Sequence, residues 1–126
     1  MGLRISSVVI DSVNPRLLAE FWCAVLGYQV QDEDESGVSI GSTDHGRPVI
    51  DIFAVPEVKS GKNRLHLDLR AEGSTTAAEL ARLYALGAQP VDVGQTPDAS
   101  WVVLSDPEGN EFCLLSKTVE EISTSF

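Results

Sequence analysis

Apolar and polar positions in the first half of the chain predict a strand, a helix and three further strands. Residues 5–10 are rich in β-branched side chains, which is typical of a half-buried strand. Asn14 and Pro15 predict a helix start, because Asn caps a helix well and Pro suits its first position. Gly27 predicts the end of that helix. The apolar side chains between these signals recur at helical spacing and form one broad face: Leu17, Leu18, Phe21, Trp22 and Val25.

Three short strands are predicted to complete this half. Residues 28–31 and 38–40 alternate between apolar and polar side chains. The acidic run 32–35 predicts a solvated turn between them. A loop is predicted over residues 42–48, which contain Gly and Pro, and residues 49–55 predict a buried closing strand.

The second half repeats this order of elements. Residues 64–69 predict a strand with its three leucines on one face and with His66 and Asp68 on the other. The helix that follows is predicted to begin with a capping box formed by Thr76 and Glu79. A repeat of this kind indicates that the chain contains two copies of one structural unit.

The remaining elements of this half follow from the same patterns. The predicted ranges are 74–86 for the helix and 91–93, 101–105 and 111–115 for three strands. Residues 106–109 read Asp-Pro-Glu-Gly, which fits a type I turn because Pro suits its second position and Gly its fourth. The last two strands are therefore expected to form a hairpin.

This order predicts an α+β fold of two tandem βαβββ modules within a single domain spanning residues 1–126. The first module covers about residues 4–55 and the second about 63–116, with a polar linker over 56–62 and a tail over 117–126. One module alone has a curved sheet with a helix on its convex face, and it cannot cover both faces. Two modules that share one sheet are expected to enclose a concave cavity.

The charge of the chain narrows the choice of partners. Its net charge is −10 and its estimated isoelectric point is 4.4. Such a surface repels phosphate backbones and anionic lipids, so neither nucleic acid nor a membrane is expected as a partner. The sequence shows no signal-peptide pattern and no apolar run of membrane-spanning length, which predicts a cytoplasmic protein with two free cysteines.

Several motifs together resemble one known group of proteins. They are Asn14-Pro15, Phe21-Trp22, Leu26-Gly27, residues 63–69, Leu86-Gly87-Ala88, Trp101 and residues 106–114. This pattern, over roughly residues 5–115, resembles the vicinal oxygen chelate superfamily, and within it the short glyoxalase/bleomycin resistance/dioxygenase-like proteins. The resemblance implies a cupped mixed sheet with helices on its outer face, a small-molecule ligand and a homodimer.

The resemblance also implies where metal ligands are expected. Enzymes of the superfamily hold a divalent metal that chelates two neighbouring oxygens of the substrate. Their first ligand position falls on Ser7, the next falls on His66, and the position of the last, usually a Glu, falls on Cys113. The closing strand of the first module gives Asp51 or Phe53 as the nearest match, depending on the strand register. Only His66 is retained. No cofactor is assigned with certainty, and a divalent metal such as zinc, nickel, manganese or iron is left open.

Three residues are candidates for catalysis: His66, Asp51 and Glu111. Asp51 interrupts an apolar strand, where an unpaired carboxylate is costly to bury. It therefore either faces the cavity or pairs with a cation, for which the candidates are Arg47, Arg64 and Arg70. Glu111 shares a strand face with Cys113 and is either a carboxylate near the cavity or, as we favour, a residue at its rim.

The predicted ligand pocket contains Ser7, Phe53, Trp101 and Cys113. Trp101 and Phe53 suit a planar apolar ligand, on which aromatic rings stack. Cys113 is either a small buried hydrophobic residue or, with His66, a soft ligand for zinc. In the second case a third protein ligand is needed, for which Asp51 is the candidate.

Two functions of different classes follow. In the first, the protein binds a small organic molecule in the concave cavity without the full metal site. In the second, it is a metal-dependent lyase, isomerase or dioxygenase of the vicinal oxygen chelate type. The residues leave open whether the chain is an enzyme.

Overall fold

Each half of the chain folds into a four-stranded mixed sheet with a helix, in the order that the sequence predicts. The structure is a computed structural model, and it describes residues 2–92 and 101–123. The chain divides into two compact units between Val58 and Lys59, within the predicted linker. The interpretation of these units as one domain around a shared cavity stays a prediction.

The first unit contains four strands and one helix. They are β1 (Ser7–Ser12), α1 (Pro15–Leu26), β2 (Gln29–Asp34), β3 (Gly37–Gly41) and β4 (Val49–Ala54). The strand order in the sheet is β1-β4-β3-β2, with β1 parallel to β4 and the other neighbours antiparallel. The two central strands, β3 and β4, carry the apolar side chains that pack under the helix.

Helix α1 begins and ends where its local signals predict. The Asn14 side chain accepts a hydrogen bond from the Leu17 amide at 3.3 Å, and Pro15 holds the first helical position. Gly27 adopts the left-handed conformation, with φ 71°, that ends the helix. The buried centre of the apolar face is Leu18 and Trp22, whereas Leu17 is 48% exposed.

The predicted acidic turn is partly wrong. Asp32, Glu33 and Asp34 extend strand β2, and the turn comes only at residues 35–36. Strand β2 is a sheet edge and is exposed along its length, so charged side chains can occupy it at no burial cost. Charges on an edge strand also hinder pairing with another chain. Arg16 binds both carboxylate oxygens of Glu33, at 2.9 and 2.8 Å.

The second unit repeats the topology of the first. Its elements are β5 (Asp68–Leu69), α2 (Thr76–Ala85), β6 (Gln89–Pro90), β7 (Trp101–Ser105) and β8 (Glu111–Leu115), followed by a short helix α3 (Val119–Ser123). The strand order is β5-β8-β7-β6, with β5 parallel to β8 and the other neighbours antiparallel. The duplicated βαβββ order and the α+β fold class are therefore confirmed.

The hairpin of the second unit forms as predicted. Strands β7 and β8 have the predicted bounds, and the Gly109 amide donates to the Asp106 carbonyl at 2.9 Å across the turn. The Asp106 side chain accepts further hydrogen bonds from the amides of Glu108 and Asn110. Local turn chemistry therefore accounts for the position of this turn.

The first strand of this unit is shorter than predicted. Only Asp68 and Leu69 are in strand β5, and Leu65, placed by alternation on a buried face, is 90% exposed. Pairing with β8 begins at Leu67, whose carbonyl accepts from the Cys113 amide at 2.9 Å. The preceding chain turns aside because the Asn63 amide is bound to the Glu111 side chain.

Two further predictions differ in detail. The cap of helix α2 is Thr75 rather than Thr76, and the Thr76 hydroxyl donates instead to the Ser116 carbonyl at 2.8 Å. Strand β6 lies before the predicted range, and Val91, which follows it, donates its amide to the Val103 carbonyl. Val93 and residues 124–126 of the predicted tail lie outside the described residues.

No helix in the described part of the chain combines the length and the apolar character needed to cross a membrane.

Candidate functional site

One central strand of each sheet, β4 in the first unit and β8 in the second, places an ionisable side chain on the face that carries no helix. In the first unit, Ile50 and Ile52 of β4 are buried towards α1, and alternation puts Asp51 on the opposite face. In the second unit, Phe112 and Leu114 of β8 are buried in the same way, and Cys113 lies on the opposite face. The two positions are equivalent in the repeat.

Neighbouring strands supply the residues beside these two side chains. Asp51 lies between Val9 on β1 and Ser39 on β3. Cys113 lies between Asp68 on β5 and Val103 on β7. Only the second unit therefore brings a carboxylate next to its central ionisable group.

A cavity of about 370 Å³ opens on this face of the second unit. Its lining residues come from β5, β7, β8 and the segment before β5: Lys62, His66, Asp68, Trp101, Val103, Glu111, Cys113 and Leu115. This volume lies within the range of small-molecule sites. The wall formed by Trp101, Val103 and Leu115 is apolar, and the other residues supply polar and charged groups.

The polar side of the cavity centres on His66. Its Nδ1 lies 3.0 Å from Oδ1 of Asp68 and 4.0 Å from Sγ of Cys113. The carboxylate favours the tautomer with hydrogen on Nδ1, which leaves Nε2 as an acceptor. Within the described residues no protein group bonds to Nε2. That nitrogen is therefore open to solvent or to a ligand.

Cys113 is held as a neutral thiol. The side chain is 6% exposed. Burial raises the pKa of the thiol, and the charge and hydrogen bond of Asp68 raise it further, against a smaller opposing effect of Lys62. A thiol in this state is a poor nucleophile, because the thiolate is the reactive form. The His66–Cys113 arrangement therefore does not favour nucleophilic catalysis.

His66, Asp68 and Cys113 together form a group of three donors. Their ligand atoms all lie within 4.8 Å of one another. Two ligands of a tetrahedral zinc ion lie about 3.3–3.8 Å apart, given bonds of about 2.0–2.3 Å. The observed separations of 3.0 and 4.0 Å bracket these values. The donor set thus fits a zinc ion with small side-chain adjustments, and the thiol favours zinc over harder cations.

Glu111 is tied to the segment before β5. Its Oε2 lies 2.8 Å from Nζ of Lys59, and its Oε1 accepts from the Asn63 amide at 3.0 Å. Lys59 also donates to the Gly61 carbonyl. Burial by itself raises the pKa of Glu111, but the hydrogen bonds from Lys59 and Asn63 outweigh it, and the pKa is lowered. Glu111 is therefore an ionised anchor at the start of β8.

The other predicted site residues belong to the first unit. Ser7 is paired with Val49 at the start of the sheet, and Phe53 follows Asp51 on the helix-free face of β4. Arg47, one of the three candidate partners of Asp51, pairs with Asp44 at 3.6 Å. In the described part of the first unit, no cation forms an ion pair with Asp51.

Several lining residues were not among the predicted site residues. Asp68 stands two positions after His66 in a strand pattern, and this spacing is the signal that could have identified it. Val103 is likewise two positions after Trp101, and Leu115 two after Cys113. Lys62 carries no such signal, because it precedes the strand and reaches the cavity only through the fold.

The chain belongs to the glyoxalase-like family. A family model described as "Glyoxalase-like domain" matches residues 7–115. The resemblance to glyoxalase-like proteins is therefore confirmed. A search of curated proteins finds no match to the chain.

Solved structures share the fold at low sequence identity. One is a glyoxalase/bleomycin resistance protein/dioxygenase family enzyme from Burkholderia phytofirmans, with 21% identity, a TM-score of 0.66, and coverage of 90% of this chain and 98% of that chain. Another is the fosfomycin resistance protein FosX from Listeria monocytogenes, with 14% identity, a TM-score of 0.71 and full coverage of both chains.

A variant of the Listeria protein is complexed with Mn(II) and 1S,2S-dihydroxypropylphosphonic acid. It has 13% identity, a TM-score of 0.71, and coverage of 96% of this chain and 95% of that chain. At such identities the likeness establishes the fold, and the chemistry of this chain depends on its own residues.

Proposed function

We propose that the second unit binds a small planar organic molecule in its 370 Å³ cavity. The observation that supports this most directly is the placement of Trp101 on the cavity wall, where the side chain remains 40% exposed. A large aromatic ring left open to a cavity offers a stacking surface that an ordinary core residue does not.

The rest of the lining supports the same function. Val103 and Leu115 extend the apolar wall, and His66 offers a hydrogen-bond acceptor in the same cavity. Binding sites for small molecules combine such apolar walls with a few placed polar groups. Because its thiol is neutral, Cys113 is better suited to lining the cavity than to acting as a nucleophile.

Replacement of Trp101 by Ala is expected to weaken the binding of a planar aromatic ligand about tenfold, because the stacking surface is lost. Isothermal titration calorimetry with 2-naphthamide and related naphthalene and indole compounds measures the change. The matched control is Tyr84→Ala, which removes an aromatic side chain of similar exposure from α2, outside the cavity.

The control variant is expected to bind as the wild type does. Equal weakening in both variants would show that the effect is not specific to the cavity. If no planar compound binds the wild-type protein even at high concentration, the proposed function is wrong.

The second candidate function is metal-dependent chemistry, and the donor group of His66, Asp68 and Cys113 favours it. These three side chains would hold a zinc ion and leave a position open for a substrate oxygen, which the metal would polarise. Asp68 supplies a third ligand from the same unit, so that Asp51 is not needed for this role.

Metal binding is expected to require both His66 and Cys113. Equilibrium dialysis against zinc should give one bound ion per chain, lost in His66→Ala and in Cys113→Ser. Cobalt substitution tests the thiolate directly, since a cobalt–sulfur bond produces a charge-transfer absorption in the near ultraviolet. Cys23→Ser is the control, because Cys23 is the other cysteine and lies on α1. Zinc binding that survives Cys113→Ser would exclude this site.

A further inference from the structure

One cation that lines the cavity of the second unit, Lys62, has no carboxylate partner among the described residues. Glu111 is neutralised by Lys59, at 2.8 Å. Asp68 is hydrogen-bonded to His66, at 3.0 Å. Lys62 also lines the cavity, and its Nζ donates to the Asn63 carbonyl at 3.1 Å. Across residues 2–92 and 101–123 no carboxylate pairs with this ammonium group.

This unpaired cation stands out against the charge of the whole chain. With a net charge of −10, carboxylates outnumber cations about twofold, and most of the surface repels anions. Among the described residues of the second unit, Lys62 is an ammonium group that lines the cavity with no carboxylate bound to it. Asp68 on β5 also lines the cavity and keeps its negative charge, so the negative group of a ligand has to lie at Lys62 and away from Asp68.

The apolar wall of the cavity sets a second requirement for the ligand, beside its charge. Trp101, Val103 and Leu115 form an apolar surface on strands β7 and β8, and Lys62 lies on the segment before β5. A ligand that satisfies both parts has a flat apolar body and a negative group at one end. A neutral planar ligand would satisfy only the apolar wall.

We propose that the cavity selects a planar organic anion, with its ring against Trp101 and its carboxylate bound by the ammonium group of Lys62. This inference rests on the proposed binding function and adds the charge of the ligand and the residue that recognises it. Lys62 is a specificity-determining residue in this scheme and takes no part in bond making.

The test compares two ligands that differ in charge. 2-Naphthoate and 2-naphthamide have the same ring system and nearly the same size, and calorimetry near neutral pH gives both affinities. The wild type is expected to bind the acid about fivefold more tightly than the amide, as an ion pair at an open site allows. In Lys62→Gln this ratio is expected to fall to about one, and in the control Lys117→Gln, which removes an exposed lysine elsewhere in the unit, to stay unchanged.

Salt provides an independent measurement on the same proteins. Because exposed ion pairs are screened, the preference for the acid in the wild type should shrink as ionic strength rises, whereas the affinity of the amide should hold or increase. Lys62→Gln is not expected to perturb folding, since the side chain is exposed, and far-ultraviolet circular dichroism checks this.

The possible outcomes distinguish a failure of the proposed binding function from a failure of the proposed selection for an anion. If neither compound binds, the proposed function fails. If both bind the wild type equally, or the amide binds better, the function stands and the selection for an anion is overturned. If the acid is preferred and Lys62→Gln keeps that preference, another group recognises the charge and the role of Lys62 is overturned.

Discussion

Replacement of Trp22 by Ala is expected to lower the free energy of unfolding of the first unit by about 4 kcal/mol. Trp22 is 1% exposed and packs edge-on against Phe21, with ring centroids 5.2 Å apart. The substitution removes a large apolar surface from the core and leaves a cavity between α1 and the sheet that the surrounding chain can only partly fill. Urea denaturation followed by far-ultraviolet circular dichroism measures the loss.

The matched control is Leu17→Ala on the same helix. Leu17 belongs to the apolar pattern of the sequence, yet about half of its surface is open to solvent. Its replacement is expected to cost less than about 1 kcal/mol. Similar losses in both variants would show that the helix does not bury the face that the structure assigns to it.

The second large effect is expected at the ion pair of Lys59 with Glu111. Lys59→Met should lower the free energy of unfolding of the second unit by about 2–3 kcal/mol, because it leaves a buried carboxylate without its cation. The Glu111 side chain is nearly inaccessible, and the Asn63 amide alone cannot balance its charge. Lys117→Met, at an exposed position, is the control and should change stability little.

The same pair predicts a pH dependence with a definite sign. The folded-state pKa of Glu111 is lowered from its ordinary value of 4.5. A lowered pKa means that the ionised form is favoured by folding, so this stabilisation is present above pH 4.5 and is lost as the pH falls through the folded-state pKa. Glu111→Gln, which cannot ionise, should lose less stability than the wild type in that acidic range.

Urea denaturation at a series of pH values tests this. Other carboxylates with lowered pKa values, such as Glu79 and Glu120, titrate in both proteins, so the difference between variant and wild type isolates Glu111. If the free energies of unfolding of the wild type and of Glu111→Gln fall in parallel as the pH is lowered, the charge of Glu111 does not stabilise the fold.

Elements with short-range signals could be predicted from the sequence almost residue by residue. The Asn14 cap, the left-handed Gly27 and the turn closed by Asp106 and Gly109 each depend on contacts within a few residues. The elements placed less well depend on distant partners. Strand β5 is cut short because the chain before it is held by Glu111, 48 positions from Asn63.

The residues of the candidate site also divide into those that a local sequence signal identifies and those that depend on distant contacts. His66, Cys113 and Trp101 could be named from their motifs, and the structure places all three on one cavity. Asp68 could have been found by alternation. Lys62 and the anchoring role of Glu111 could not, because the path of residues 59–67 is irregular and has no period from which a side-chain direction can be read.

The sequence by itself determined the duplicated order of strands and helices, the ends of α1 and the closing hairpin, since each is specified by local conformational preference and by the spacing of apolar side chains. Only the tertiary structure decided that Asp68 joins His66 and Cys113 and that Glu111 is neutralised by Lys59. It also decided that Lys62 lines the same cavity as Trp101, with no carboxylate partner in the described part of the chain. Charge balance within a cavity depends on which distant side chains the fold brings within a few ångströms, and no local pattern encodes those distances.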